Sequence, residues 1–565
     1  MTKQKASDNV ISSIVNNSIY TTMPRYGLLV VFVLMLVVGL LWWNIWLILI
    51  GAVFTALGIY DLRQLNHSIL RNYPIGGHIR FLLEAIRPEI RQYFLESDKE
   101  KAPFSRQQRA LVYQRAKNIS DTNAFGSLNN MNAEASEWFL HSNHSGHVDN
   151  PDFRVRIGNE QCSQPYDLSI YNISAMSFGS LSAAAIEALN KGAKMGGFAH
   201  DTGEGSISPY HTKHGGDLIW EIGTGYFGCR NHDGTFSPEK FKERAALEQV
   251  KMIEIKISQG AKPGKGGVLP ASKISIEIAQ TRDIPMGIDC ISPANHSTFS
   301  TPRELVQFWQ QLRELSGGKP GGFKLCIGQP WEFMAIVKAM IEADDYPDFI
   351  VVDGAEGGTG AAPVEFMDHV GIPLHDGFLL VHNALVGAGI RDKIKVGVSG
   401  KLVTAFDIAR MLAIGADWCN AARGFMFAVG CIQARICHTN RCPTGVTTQD
   451  PLRQKALVVP DKAERVKSFH ANTLKSLAGI VGAVGVDHPH ELRPYHIARR
   501  VDDSRIKLLS EHYFFIEHCA LLRSNSDSGI YNKMWDMAQP GSFSARLDTN
   551  QRTEKLVQKC DKPVA

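Results

Sequence analysis

Three cysteines fall within twelve residues in the stretch CIQARICHTNRCPTG, at Cys431, Cys437 and Cys442, while the other seven are scattered. Closely spaced thiolates are ligands for iron-sulfur clusters or zinc, and the Cys-Pro that closes this run is typical of ferredoxin-type sites. Three cysteines suffice for a [3Fe-4S] cluster, whereas a [4Fe-4S] cluster needs a fourth, for which Cys419 is the nearest candidate. The alternatives are zinc with His438 as fourth ligand, and thiols that only pack or exchange.

Two other short loops have the composition of a phosphate site. VSGKL contains Ser399 and Gly400, and NAARGF contains Ala421, Ala422 and Arg423. Both follow the last two strands of a predicted barrel, where phosphates are often held on backbone N–H groups. The loops therefore predict a phosphorylated cofactor, with plain tight turns as the alternative.

Lysines and glycines mark three further segments. Lys324 lies inside the apolar strand pattern GGFKLCI, and a buried lysine needs a partner. A flavin would supply one, because a cation near its N1 and C2 carbonyl edge stabilises the anionic reduced ring; an internal salt bridge is the alternative. DGAEGGTGAAP carries four glycines that allow close backbone approach to a ligand. KISQGAKPGKGGVLP follows the third predicted barrel strand and presents Gln259, Lys262 and Lys265 in a manner suited to carboxylates.

Eight short apolar runs alternate with helical patterns from Leu168 onward. They span residues 168–177, 196–203, 252–258, 286–292, 321–327, 349–355, 394–400 and 417–423. The alternation predicts parallel strands with crossover helices, and eight units predict an α/β fold of the (β/α)8 TIM barrel type, with its site at the carboxyl ends of the strands. A doubly wound open sheet is the alternative, but no G-x-G-x-x-G follows the first strand.

The stretch from Gly27 to Tyr60 has no charged residue. As one helix it would be about 50 Å long, too long for a single span of a bilayer core of about 30 Å. We predict a two-helix transmembrane hairpin that turns at Asn44, among tryptophans. Arginines flank both ends of the run, which predicts a two-pass protein of the inner (cell) membrane with its catalytic domain in the cytoplasm. A cleaved signal peptide and a buried hairpin are the alternatives.

The rest of the 565-residue chain has the composition of folded protein, with 44% hydrophobic and 21% charged residues. A net charge of +4 creates no strong field, so we expect no binding to nucleic acid. We predict an N-terminal segment over 1–60 with the hairpin at 27–60, a juxtamembrane helical collar over 61–157, a barrel with the cysteine cluster over 158–500, and a C-terminal extension over 501–565.

Seven stretches, between about residues 172 and 493, resemble the FMN-binding synthase domain of glutamate synthase and its shorter, membrane-anchored relatives. They are SAMSFGSLS, DTGEG, KISQGAKPGKGG, FKLCIG, DGAEGGTGAAP, GCIQARICHTNRCPTGVTTQDP and HPHELRP. The cysteine spacing is the most specific. The resemblance implies a (β/α)8 barrel with FMN and a [3Fe-4S] cluster. It also implies an oxidoreductase acting on CH–NH2 donors, which reduces 2-iminoglutarate, formed from 2-oxoglutarate and ammonia, to L-glutamate.

The resemblance also assigns roles to single residues. Met176 and Ser177 lie against the flavin, with Lys324 at its pyrimidine edge. Glu204, Gln259 and Lys262 match positions on the 2-oxoglutarate side. Beside the flavin ring and its phosphate it places Gly358, Gly360, Gly400, Ala421 and Ala422, to which the loop pattern adds Ser399 and Arg423.

The chain departs from the family where substrate binds. The family pattern reads GAKPGEGGQLPG, and this chain has Lys265 for the glutamate and Val268 for the glutamine. The departures leave two other activities open, namely reduction of another imine, carbonyl or quinone, and electron transfer without synthase activity. Thr2 stands where large glutamate synthases have a catalytic cysteine, so glutamine hydrolysis is not expected. No NAD(P)H fingerprint is present, so we expect a ferredoxin or reductase subunit as electron donor.

Overall fold

The computed structural model describes residues 18–100, 103–523 and 528–546, with side chains from residue 25 onward. Expectations for the first 17 residues and for 547–565 therefore lie outside the described residues. The chain divides into two compact units, residues 1–100 and 101–565. Each unit is described by itself.

The first unit is helical. Its helices are Ser18–Leu41, Ile45–Arg63, Ser68–Asn72 and Gly76–Ile90, and the last continues as a π-helical turn over Arg91–Leu95. Asn44 caps the second helix, because its side chain accepts hydrogen bonds from the backbone N–H groups of Trp46 and Leu47 at 3.1 and 3.2 Å. A Cβ on Gly51 would lie 2.6 Å from the backbone nitrogen of Leu36, so glycine permits the close approach of the first two helices.

One helix among the described residues, Ile45–Arg63, is long and apolar enough to cross a membrane. The apolar part of the preceding helix, Arg25–Leu41, is shorter. The turn between the two helices falls at Trp42–Asn44, where the sequence placed it. A two-pass topology remains a prediction.

The second unit is built around a closed barrel of eight parallel strands, in the spatial order β4-β5-β6-β7-β10-β11-β12-β13. These strands are β4 (Tyr171–Ile173), β5 (His200–Asp201), β6 (Leu218–Ile222), β7 (Val250–Lys256), β10 (Gly321–Leu325), β11 (Phe349–Asp353), β12 (Lys395–Ser399) and β13 (Trp418–Ala421). Their residues are almost all buried, as expected for parallel strands covered by helices. The predicted TIM barrel is confirmed.

Among the described residues, seven short strands lie outside the barrel. They are β1 (Glu137–Phe139), β2 (Arg154–Ile157), β3 (Tyr166–Ser169), β8 (Val268–Leu269), β9 (Cys290–Ile291), β14 (Ile497–Arg500) and β15 (Ile506–Leu508). β2 pairs with β3, β8 with β9, and β14 joins β1 to β15, all antiparallel. The sequence pattern did not predict these small sheets.

Helices pack around the barrel. The described helices of this unit are Arg106–Ala116, Ala183–Gly196, Pro209–Thr212, Pro238–Ala245, Ile276–Arg282, Pro302–Leu315, Pro330–Ala343, Val364–His369, Leu374–Gly387, Ala405–Ala413, Arg423–Ala428, Pro451–Gln454, Val459–Val484, Leu509–His512 and Ile530–Met537. Several begin at residues whose side chains cap the helix. Ser182, Thr301 and Thr404 each accept a hydrogen bond from a backbone N–H in the first turn.

One predicted barrel strand is wrong. Residues 286–292 contain β9, which pairs antiparallel with β8 outside the barrel. The third barrel strand is instead β6, LIWEI, which the sequence analysis missed because a glutamate interrupts its apolar pattern. The loop that carries Gln259 and Lys262 therefore follows the fourth barrel strand, β7, rather than the third.

Candidate active site

Two adjoining cavities lie at the carboxyl ends of the barrel strands, where barrel enzymes carry their sites. The first cavity is lined, among others, by Met176, Ser177, Glu204, Gln259, Lys262, Gly358, Gly360, Ala422, Arg423 and Cys437. The second is lined, among others, by Gln259, Lys324, Gly358, Ser399, Gly400, Ala421, Ala422 and Arg423. The fold thus gathers the predicted site residues, apart from Cys431 and Cys442, on the walls of two cavities; their individual roles stay predictions.

The loop after β5 is pressed against the loop after β4. Gly203 has a left-handed backbone conformation with φ of +64°, and a Cβ there would lie 2.7 Å from the backbone nitrogen of Ser177. A glycine is therefore required at this point of DTGEG. The tight packing directs the next residue, Glu204, toward the end of β7.

Glu204 is paired with a lysine that the sequence analysis did not single out. Lys256 Nζ lies 2.6 Å from Glu204 Oε2 and 3.3 Å from Gln259 Oε1. Although burial opposes ionisation of Glu204, the Lys256 ammonium lowers the pKa of that carboxyl to about 2. The only feature of the sequence that could have indicated Lys256 is its place at the end of an apolar strand, in the stretch KISQG.

Lys262 is buried in the first cavity, and its Nζ has no hydrogen-bond or ion-pair partner among the described residues. Burial lowers its pKa. Lys265, by contrast, is exposed, and its ammonium lies 4.4 Å from the ring centroid of Phe366. Of the two lysines on this loop, Lys262 is the cation available to a ligand.

The sequence left two environments open for Lys324, a flavin site and an internal salt bridge, and the structure is compatible with both. It lines the second cavity, and it forms an internal ion pair with Glu221 of β6. Its ammonium also lies 3.4 Å from Glu254 Oε1 and 3.9 Å from Asp201 Oδ2. The sequence did not predict these acidic partners. Glu221 lies in β6, which was not recognised as a strand, and the position of an acidic residue in a strand does not indicate which side chain it contacts.

The loops after β12 and β13 offer unused hydrogen-bond donors to the second cavity. The backbone N–H groups of Gly400, Lys401 and Ala422 donate no hydrogen bond within the part of the chain that the structure describes. Asn420, on the same wall, has a buried side-chain oxygen that accepts no hydrogen bond from any described residue. Backbone N–H groups that converge on a cavity in this way are suited to an anion such as phosphate.

The three cysteines of the predicted cluster lie on one loop after β13. Cys431 and Cys442 are buried, and Cys437 is half-buried at the wall of the first cavity. The backbone N–H of Gln433 lies 3.4 Å from Cys431 Sγ, as in N–H···S bonds to thiolates. Burial acts to raise the pKa of Cys442, but hydrogen bonds with Thr447 and Thr444 hold it below the ordinary value.

Two further cations lie between this loop and the cavities. Arg423 Nη1 is 4.0 Å from Cys437 Sγ, and its Nη2 donates a 2.7 Å hydrogen bond to the backbone oxygen of Thr359 in the glycine-rich loop. Lys273 lines the first cavity and lies 3.4 Å from the backbone oxygen of Cys437. Burial lowers the pKa of Lys273 to about 8. The site is therefore suited to negatively charged groups.

The protein is an eight-stranded α/β barrel with two cavities suited to anions at the carboxyl ends of its strands. Residues 110–487 match a family model described as the conserved region in glutamate synthase. The chain is 38% identical over 493 residues to the glutamate synthase large subunit-like protein YerD of Bacillus subtilis (strain 168), a match that covers 80% of this chain and 94% of YerD. The chain belongs to the glutamate synthase family, and it is a glutamate synthase-like oxidoreductase acting on CH–NH2 donors.

Other relatives match a smaller part of this chain. The archaeal-type glutamate synthase [NADPH] of Thermotoga neapolitana is 33% identical over 60% of this chain and 64% of its own length. The archaeal glutamate synthase [NADPH] of Methanocaldococcus jannaschii is 34% identical over 57% of this chain and 60% of its own length. Among solved structures, the flavin-binding domain of baker's yeast flavocytochrome b2 matches with a TM-score of 0.37 and 12% identity, over 84% of this chain and 97% of that domain.

Proposed function

We propose that this protein binds FMN and a [3Fe-4S] cluster and reduces 2-iminoglutarate, formed from 2-oxoglutarate and ammonia, to L-glutamate. Membership of the glutamate synthase family supports the reaction class. The observation that supports this substrate is the ammonium of Lys262. It has no ion-pair partner in the described part of the chain, and it is buried beside the Glu204–Lys256 ion pair at the wall of the first cavity. A dicarboxylate needs such a cation.

The residues present fit FMN. The unused N–H groups of Gly400, Lys401 and Ala422 would hold its phosphate. Gly360 lines the first cavity, and a Cβ added there would meet nothing within 4 Å, so the loop leaves room for a ring. Lys324 would place a positive charge at the ring edge. When bound, FMN supplies hydride chemistry to a carbon–nitrogen double bond.

The donor set also fits an iron-sulfur cluster. Cys431, Cys437 and Cys442 would be its ligands, and Arg423 and Lys273 lie near the cysteine loop, where they would offset the negative charge of a thiolate-bound cluster. Cys419, the candidate fourth ligand, is fully buried within β13, and it interacts electrostatically with Tyr171 and Asp407. A three-cysteine cluster fits this arrangement better than a [4Fe-4S] cluster.

The chain's own residues have three tasks in this reaction. Lys262 binds a substrate carboxylate. Lys256, tied to Glu204 and Gln259, fixes the polar wall beside it, so that the wall is preorganised before substrate enters. The buried loops after β4 and β5 keep bulk water from the reacting carbon.

We further propose that the protein is held at the cell membrane by the helical hairpin, with the barrel on the cytoplasmic side. The charge-free run and its flanking arginines support this topology. The helix Gly76–Ile90 adds support, because it exposes apolar side chains at helical spacing beside Arg80 and Arg87, as in helices that lie on a bilayer surface. The exposed apolar residues are Ile79, Leu82, Leu83 and Ile86.

One assay tests the reaction. The purified full-length protein, reduced with dithionite, is mixed with 2-oxoglutarate and ammonium, and glutamate is measured by mass spectrometry. We expect glutamate together with reoxidation of the flavin absorbance, and neither when ammonium is omitted. Flavin reoxidation by a quinone or another carbonyl compound, with no glutamate formed, would overturn the proposal in favour of a different oxidoreductase. The same assay with candidate ferredoxins in place of dithionite identifies the electron donor.

A further inference from the structure

A group of acidic side chains is buried at the base of the two cavities. Asp201 of β5, Glu221 of β6 and Glu254 of β7 each offer a carboxylate oxygen within 4.8 Å of the others. All three residues are at most 2% exposed. They come from three successive barrel strands and surround Lys324 of β10, so the barrel itself brings them together.

The group has more negative charge than its cation can neutralise. Lys324 contacts all three carboxylates, and the ammonium therefore stands where a metal ion would have to sit. Neither carboxylate oxygen of Glu254 accepts a well-formed hydrogen bond among the described residues, and neither does Asp201 Oδ2. Three ionised carboxylates around one ammonium would leave two uncompensated charges out of contact with water, at high cost. At least one carboxyl must therefore keep its proton.

The surroundings of the group favour the same conclusion. Burial raises the pKa of Glu254 well above its ordinary value and that of Asp201 to about 7, while Lys324 opposes both shifts. Asp353 of β11 also faces Lys324, and it accepts a 2.8 Å hydrogen bond from the backbone N–H of Gly260. Lys256 is the other cation whose charge reaches Asp201.

Glu221 connects this group to the active site. It lines the first cavity together with Glu204 and Lys262, and it is hydrogen-bonded to Lys324, which lines the second. We propose that Asp201, Glu221 and Glu254 around Lys324 form a proton store, and that Glu221 passes a proton from it to the imine nitrogen of the bound substrate. This inference rests on the proposed function.

The imine nitrogen takes a proton that the group delivers through the Glu221 carboxyl, and the imine carbon takes a hydride, two electrons and a proton, which reduced FMN would supply when bound. The product is an amine. The new Glu221 carboxylate is stabilised by Lys324 and takes up a proton from Asp201 or Glu254. The group regains its proton through Glu221, which lines the first cavity, after the product has left. Glu221 would touch substrate, whereas Asp201 and Glu254 act through it.

Infrared spectroscopy tests the store without any turnover. The full-length protein is titrated from pH 5 to pH 9, and the C=O stretch of protonated carboxyl groups is followed in the wild type and in Glu254→Gln, Asp201→Asn and the control Glu187→Gln. Glu187 is paired with Lys213 and His214, away from the barrel interior. We expect a carboxylic-acid band that persists at pH 7 in the wild type and the control and is reduced or shifted in the two variants. A wild-type spectrum with no such band at pH 7 would overturn the inference.

Kinetics then test the transfer. In Glu221→Gln we expect kcat to fall about 100-fold, the range for loss of a general acid, with flavin content and the KM for 2-oxoglutarate nearly unchanged. In Asp201→Asn we expect the pH dependence of kcat to shift with a much smaller loss at its optimum. Unchanged kcat in Glu221→Gln would overturn the transfer. If no glutamate forms in the wild type but the infrared band is present, the proposed function fails and the store stands.

Discussion

Lys256 and Glu204 neutralise one another across 2.6 Å, and this pair leaves Lys262, at the wall of the first cavity, without an ion-pair partner among the described residues. The neighbouring lysine of the loop, Lys265, lies over the ring of Phe366 instead. The two lysines are therefore a matched pair for testing substrate binding, since they share a loop and a charge but only one of them faces the cavity.

We predict that Lys262→Ala weakens binding of 2-oxoglutarate by about 1.5 to 3 kcal/mol, or roughly ten- to a hundredfold in Kd, because a hydrogen bond to a charged group is lost. Lys265→Ala should change Kd by less than about twofold, and neither change should alter FMN content. Calorimetry on the FMN-loaded protein measures both. Equal weakening by the two substitutions, or no binding to the wild type at millimolar concentration, would contradict the assignment.

The second prediction concerns the cysteine loop. Changing Cys431, Cys437 or Cys442 to Ser should each abolish stoichiometric iron, because each would supply one of the three thiolate ligands. Cys419→Ser should retain the iron, since Cys419 is buried within β13. Iron analysis and electron paramagnetic resonance of the oxidised protein check this. Stoichiometric zinc in the wild type, without iron, would refute it.

Much of this site could be predicted from local sequence because its groups sit at fixed places in a repeated unit. The carboxyl ends of barrel strands must meet at one end of the barrel, so recognising the strands that contain Lys324, Ser399 and Ala421 near their carboxyl ends was enough to bring these residues together. This placement does not depend on the order number assigned to the strand that precedes a loop. Gln259 and Lys262 were assigned to the third strand rather than the fourth, and they still lie at the predicted cavities.

The buried ionic partners could not be predicted. β6 contains Glu221 in an otherwise apolar run, and a charge in a strand argues against burial unless its partner is known. That partner, Lys324, is about a hundred residues further along the chain. Residues 286–292 mimic a barrel strand for the opposite reason, because an apolar run fits a two-residue edge strand such as β9 as well as it fits a buried one.

The third prediction concerns the glycine-rich loop DGAEGGTGAAP and distinguishes an effect on flavin binding from an effect on folding. Gly360→Val should leave the melting temperature of the flavin-free protein unchanged, because a Cβ there meets nothing within 4 Å, but it should lower FMN content if the ring lies beside it. In Gly358→Ala the added Cβ would lie 2.7 Å from Arg423 Nε, so both stability and FMN content should fall. Absorbance of the bound flavin and thermal melts measure the two effects. Full FMN content in Gly360→Val would place the ring elsewhere.

Membrane attachment is tested by two shortened chains. A chain beginning at Asp61 lacks the hairpin but keeps the helix Gly76–Ile90, and we expect it to bind vesicles containing anionic lipid and to be released by salt. A chain beginning at Lys101, the boundary between the two units, should stay in solution and still bind flavin. Vesicle sedimentation distinguishes them. Loss of flavin from both chains, or protease cleavage of the barrel from outside intact cells, would contradict the proposed topology.

The last prediction concerns the pH dependence of stability. Burial raises the pKa of Asp201 from 3.8 to about 7, so the folded protein holds a proton there that the unfolded chain has already lost. The stability that this proton contributes is full below pH 4 and decreases as pH rises toward 7, by ~1.4 kcal/mol per unit at most. Asp201→Asn removes this dependence. The melting temperature of the variant relative to the wild type should therefore rise by a few degrees between pH 5 and pH 8. For the control Glu342→Gln the difference should be constant over this range, because hydrogen bonds from Arg303 hold the pKa of Glu342 below its ordinary value and its partner does not titrate there. Scanning calorimetry at four pH values decides the matter, and a difference for Asp201→Asn that stays constant or falls with pH would mean that Asp201 is ionised in the folded protein.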